Sequence, residues 1–105
     1  MPTNIFNDIP SEIPKELFTI LLENENVKIE RIVSNGHRTP AGEWHDQPQN
    51  EWVIVLQGQA VIEYDNTEPH NLNVGDYLFI PAHTRHRVSW TTQTQQTVWL
   101  AVHWI

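Results

Sequence analysis

An all-β barrel or sandwich is predicted for this chain, on three observations. Short apolar runs recur at near-regular spacing. Gly, Pro, Asn and Asp punctuate the gaps between them. After the first 18 residues no stretch keeps a 3.6-residue apolar period, so helices are not expected to carry the core. A chain of 105 residues with 39% hydrophobic residues and five Trp suits one domain around one core.

The elements follow in order. Residues 1–17 hold Pro2, Pro10 and Pro14 and read as an arm packed on the barrel, pinned by Ile5, Phe6 and Ile9. Ser11 with Glu12 and Lys15–Phe18 predicts one short helical turn, Pro14 being tolerated in a first turn. Residues 18–105 form the barrel domain. Phe18–Leu22 is the first strand, Asn24-Glu25-Asn26 turns the chain, and Val27–Ser34 returns. Residues 35–42 are a Gly/Pro loop. Glu43–Gln47 is extended, and Pro48-Gln49-Asn50 bends it. Glu51–Leu56 is apolar on both faces, so it is buried on both sides, inside a barrel and against a second sheet or subunit. Gly58 turns into Ala60–Tyr64, and Asp65–Pro69 is a loop. Val74-Gly75-Asp76 is a tight turn, with Asp76 capping it, before Tyr77–Ile80. Arg85–Trp90 and Thr97–Trp104 complete the set.

Charge narrows the partners. Six Lys+Arg against 13 Asp+Glu leave a net charge of -7, which phosphate backbones and anionic membrane surfaces repel. No apolar run approaches the ~20 residues of a membrane helix, and the first residues do not read as a signal peptide. The expectation is a cytoplasmic protein whose partner is a small molecule, not nucleic acid or membrane. The absence of Cys removes disulfides, thiolate metal sites and thiol catalysis. Ser11, Ser34 and Ser89 lie in no nucleophile context, and no phosphate-cradling loop follows Gly36 or Gly42. The six His are therefore where chemistry is sought.

His45 and Gln47 stand two apart on an extended chain and so share a face. Glu51 follows across a bend, on the face of Val53 and Val55, where a carboxylate needs a cation or several hydrogen bonds. Parity puts His86 on one face with Val88 and Trp90, and turns Arg85 and Arg87 to solvent. His45, Gln47, Glu51 and His86 can converge from three strands. Two imidazoles and a carboxylate with open positions form the donor set of non-haem iron oxygenases, and the same set takes manganese, cobalt, nickel or zinc.

This pattern resembles the cupin superfamily, and its small single-domain RmlC-like members in particular. The family's first motif runs His-x-His, three or four residues, Glu, six residues, Gly. Its second runs Gly, five residues, Pro, x-Gly, two residues, His. His45, Glu51, Gly58, Gly75, Pro81 and His86 stand at matching spacings over residues 42–90. The resemblance implies a double-stranded β-helix, or jelly-roll barrel, and commonly a homodimer. It also implies a divalent metal (iron, manganese, nickel or zinc) on His45, Glu51 and His86, with Gln47 as a fourth ligand through its amide oxygen. The departures are Gln47 in place of the second His, Thr39 where a Gly is expected, His83 in place of Gly, and Trp90 where Asn is frequent.

Amide oxygen is a weaker donor than imidazole, so the substitution at Gln47 lowers the expected metal affinity. The alternative is a metal-free network of Gln47, Glu51 and His86. His83 reads as a loop residue at the pocket mouth, and His103 as an interface or surface residue, with the cavity lining as the alternative. His37 and His70 carry no role, Tyr64 is core, and Trp90 is the Trp expected in the cavity. Arg38, Arg85 and Arg87 read as anion binders or as partners of Glu43 or Asp46. Three function classes stay open. One is a metal-dependent enzyme of oxygenase, isomerase or lyase type, with Glu51 as ligand or as general base where no metal sits. The others are a small-molecule binder and a structural module with a vestigial cavity.

Overall fold

The computed structural model describes residues 2–65 and 67–105. Eight strands form: β1 (Leu17–Glu23), β2 (Val27–Ser34), β3 (Asn50–Gln57), β4 (Ala60–Tyr64), β5 (His70–Leu72), β6 (Tyr77–Ile80), β7 (His86–Thr91) and β8 (Thr97–Trp104). They make a five-stranded sheet in the order β1-β2-β8-β3-β6 and a three-stranded sheet in the order β5-β4-β7. Every named pairing is antiparallel. The jelly-roll expectation therefore holds at the level of fold.

Alternation sets what fills the space between the sheets. Along β3, Glu51, Val53 and Val55 are buried while Trp52, Ile54 and Leu56 are half-buried on the other side. Val53 and Val55 meet Trp99 and Ala101 of β8, Ala60 and Ile62 of β4, Leu72 and Ile80. A second, smaller cluster lies outside the large sheet, where Ile13 covers Val33 and Val98 with help from Ile9 and Leu17.

The arm does not contain the expected helical turn. Residues 9–16 form neither helix nor strand, and among the described residues of the arm the only turn runs over residues 5–8. Tertiary contacts explain this. Ile13 is drawn into the small cluster, and Arg31 of β2 donates from Nη1 to the carbonyls of Ile5 and Asn7 at 3.0 and 2.7 Å. Gln96 Nε2 donates to the Pro10 carbonyl at 2.7 Å. Of the pins expected, Ile9 packs on this cluster, whereas Phe6 stays exposed.

Two further expectations change. Residues 43–47 form no strand, only an isolated bridge between His45 and His86. The eighth strand is instead β5, three residues long, paired with Ala60–Ile62. The second change is on β7. A register shift falls between Val61 and Ile62, whose partners are Trp90 and Val88, so Ser89 is the extra residue of a β-bulge. Parity flips there: Trp90 turns outward at 41% exposure and Thr91 inward.

Candidate functional site

One cavity of about 190 Å³ lies between the sheets. His45, Gln47, Glu51 and His86, the four residues singled out from sequence, all line it. Each arrives by a different local device. Glu51 sits near the start of β3, opposite Ile80 of β6 and His103 of β8. His86 opens β7 and exchanges two backbone hydrogen bonds with His45, at 2.7 and 3.0 Å. That exchange draws residues 43–47 against β7 and stacks the two imidazoles obliquely, 5.7 Å apart. Gln47 is anchored by its carbonyl, which accepts the His83 N–H at 2.8 Å.

The side chains then bond as follows. Gln47 Nε2 donates to Glu51 Oε1 at 2.8 Å. His86 Nδ1 lies 2.8 Å from the Thr84 carbonyl, which can only accept, so Nδ1 carries the proton. Its Nε2 faces Glu51 Oε1 at 3.8 Å. A backbone carbonyl behind the distal ring nitrogen is how metal-binding imidazoles are commonly oriented. His45 Nε2 is engaged by Thr39 Oγ1 at 3.3 Å, and the same oxygen accepts the Val88 N–H at 3.1 Å.

Glu30, Trp99 and His103 also line the cavity. His103 was expected at an interface or surface. It lines the cavity with Glu30, its Nε2 3.0 Å from Glu30 Oε1 and 3.9 Å from Glu51 Oε2. The hydrogen bond with His103 holds the Glu30 carboxyl below its ordinary value; burial opposes this, and the charges of Lys28 and His103 add to it. Parity carried the missed signal: Trp99, Ala101 and His103 alternate along one face of β8. Trp90 does not reach the cavity, and Trp99 does. Burial, with some repulsion from the Glu51 charge, raises the pKa of the Tyr64 phenol. That hydroxyl donates to the Phe79 carbonyl at 3.2 Å.

The remaining candidates lie elsewhere. His83 is in a turn at φ 59°, a left-handed conformation that suits the Gly usual at this position. It lies 3.4 Å from Asp46. His37 bridges Asn35 and the Pro14 carbonyl. Arg85 pairs with Asp65 at 2.8 Å, and Arg87 lies 4.0 Å from Glu63. Both guanidinium groups lie over the Trp44 ring.

Among the described residues, no group of three or more His, Cys, Asp or Glu side chains is arranged to hold a metal ion. The donor types nevertheless fit one. His86 and Glu51 are oriented toward each other, while His45 must leave Thr39 and Gln47 must turn its amide oxygen inward.

Residues 32–103 match the family model described as Cupin domain. The chain is a cupin. It is 50% identical, with a TM-score of 0.95, to a protein of Ralstonia eutropha JMP134 named "putative mannose-6-phosphate isomerase", over 99% of this chain and 97% of that one. A cupin superfamily protein of Desulfitobacterium hafniense DCB-2 is 22% identical with a TM-score of 0.76, over 92% of this cupin and 84% of the other. A DMSP lyase of Ruegeria pomeroyi DSS-3 is 18% identical with a TM-score of 0.72, over 86% and 47%. These two likenesses concern the fold. No curated protein matches this cupin. Among its described residues no helix is long and apolar enough to cross a membrane.

Proposed function

We propose that this cupin binds a small organic molecule in the barrel cavity and acts on it with a divalent metal held by His86 and Glu51, His45 and Gln47 completing the set. One observation carries the reading. Glu51 is 8% exposed, yet among the described residues its carboxylate accepts only the Gln47 hydrogen bond. A carboxylate so placed is costly unless a cation or further donors join it. A bound divalent ion would meet that need and polarise a substrate oxygen. The protein's own residues prepare the site: the Thr84 carbonyl sets the His86 tautomer, and Val53, Ile62 and Val88 give the cavity apolar walls. The name of the Ralstonia protein favours an isomerase among the oxygenase, isomerase and lyase types.

Elemental analysis by mass spectrometry tests this, run on tag-free protein beside His86→Ala. Near one equivalent of metal is expected in the wild type and its loss in the variant. No metal in the wild type after reloading with iron, manganese, nickel and zinc would overturn the metal reading. The second reading is a non-catalytic binder. The existing hydrogen bonds of His45 and Gln47 favour it, because both must break before a metal gains four ligands.

A further inference from the structure

We infer that the cavity selects a small organic cation, an ammonium on a compact apolar body, and rejects phosphate esters. This rests on the second reading above, a small-molecule binder, because a metal on Glu51 would occupy the carboxylate that the ammonium needs. It departs from the substrate in the Ralstonia protein's name.

Charge is the first observation. Glu16, Glu30 and Glu51 line the cavity, and no Lys or Arg does among the described residues. The basic side chains nearby are engaged elsewhere. Arg31 clamps the arm carbonyls. Arg85 bonds Asp65, and Arg87 donates to the Thr39 carbonyl at 3.1 Å. Phosphate recognition draws on Arg or Lys, or on the N–H groups at a helix N-terminus. The cavity lining offers no Arg or Lys, and the described residues form no helix. The imidazoles of His45, His86 and His103 also line the cavity, but each is already engaged by Thr39, Thr84 or Glu30, so a phosphate dianion would meet three carboxylates and no guanidinium or ammonium group.

The second observation concerns one of these carboxylates. Glu51 Oε2 accepts no hydrogen bond among the described residues. His103 Nε2 lies 3.9 Å from it, and that nitrogen is already bonded to Glu30 at 3.0 Å. One oxygen of this cavity-lining carboxylate is therefore left without a hydrogen bond, open to an N–H or a cationic methyl group. The walls fit the rest of such a ligand. Ile32, Ile62, Val88 and Trp99 are apolar, and Phe18, 57% exposed, adds an aromatic ring for cation–π contact. A volume near 190 Å³ falls below the roughly 300–1,000 Å³ of pockets for drug-sized ligands, so the molecule is small.

Calorimetric titration tests the inference with four probes: benzylamine, benzyl alcohol, benzoate and mannose 6-phosphate. Each is run on chelator-treated protein and on metal-loaded protein, so that a metal's charge is separated from that of the residues. On chelated protein, benzylamine is expected to bind about tenfold or more tighter than benzyl alcohol. Benzoate and mannose 6-phosphate are expected to give no heat of binding. Glu51→Gln, checked for folding by its melting curve, is expected to erase the gap between amine and alcohol. Either anion binding chelated protein as tightly as the amine would overturn the inference, as would an amine preference that survives both Glu51→Gln and Glu30→Gln. Benzyl alcohol binding without amine preference sinks the inference alone. Silence from all four probes in both forms removes the small-molecule reading and the inference together.

Discussion

Glu51 stands at the centre of the cavity's polar chemistry because two further strands of its sheet and the bend before β3 converge there. His103 lies directly across from it on β8, Glu30 stands beyond on β2 and bonds His103, and Gln47 reaches it from the preceding bend. Two of these four were legible in the sequence, since Gln47 and Glu51 sit at motif spacings within a few residues of each other. Glu30 and His103 are 73 residues apart, and only the register of β2 on β8 brings them together. Their contact has a pH consequence. A carboxyl held below its ordinary value stabilises the fold above its unfolded pKa and loses that contribution as pH falls through the lower folded value. The melting temperature is expected to drop as pH falls below the ordinary value of 4.5. Glu30→Gln should flatten that drop in a thermal melt series from pH 7 to pH 3. An equally steep drop in the variant would show that other carboxyl groups account for it.

At the scale of elements, the sequence reading succeeded where turn residues bracket an alternating run. β2, β4, β6 and β8 have the bounds expected of them. It failed where pairing decides. β5 holds one buried residue in three, Leu72, too little for a periodic signal. The bulge at Ser89 reversed the parity on which the placement of Trp90 depended, because nothing local marks an extra residue in a strand. Gly58, between β3 and β4, shows the opposite case of a residue whose type dictates the element. Its φ is +86°, and a Cβ there would stand 2.8 Å from the Thr97 backbone Cα. Strain and overlap act together, so Gly58→Ala is expected to destabilise by more than about 2 kcal/mol in urea unfolding. A loss under about 0.5 kcal/mol would mean that the β3–β4 connection relaxes freely.

Across the whole molecule, the outer face of the large sheet carries an unpartnered aromatic band. Phe79 stacks on Trp104 at 5.8 Å and Trp52 tilts against Tyr77 at 5.4 Å, with Tyr77 and Phe79 at least half exposed. The doubly apolar β3 led to the expectation of a homodimer, and this band is the surface that would serve it. Sedimentation velocity is expected to give two chains per particle, and Phe79→Glu to give one. A wild type that sediments as a monomer at all concentrations would refute this. The position of β8 reaches further still. It pairs with both β2 and β3 at the middle of the five-stranded sheet, yet it is the last of the eight strands to leave the ribosome. Until it emerges, β2 and β3 have no shared neighbour, and neither the sheet nor the cavity can close. Closure of the sheet therefore waits on the pairings most distant in sequence, and refolding is expected to be slow for a domain of this size.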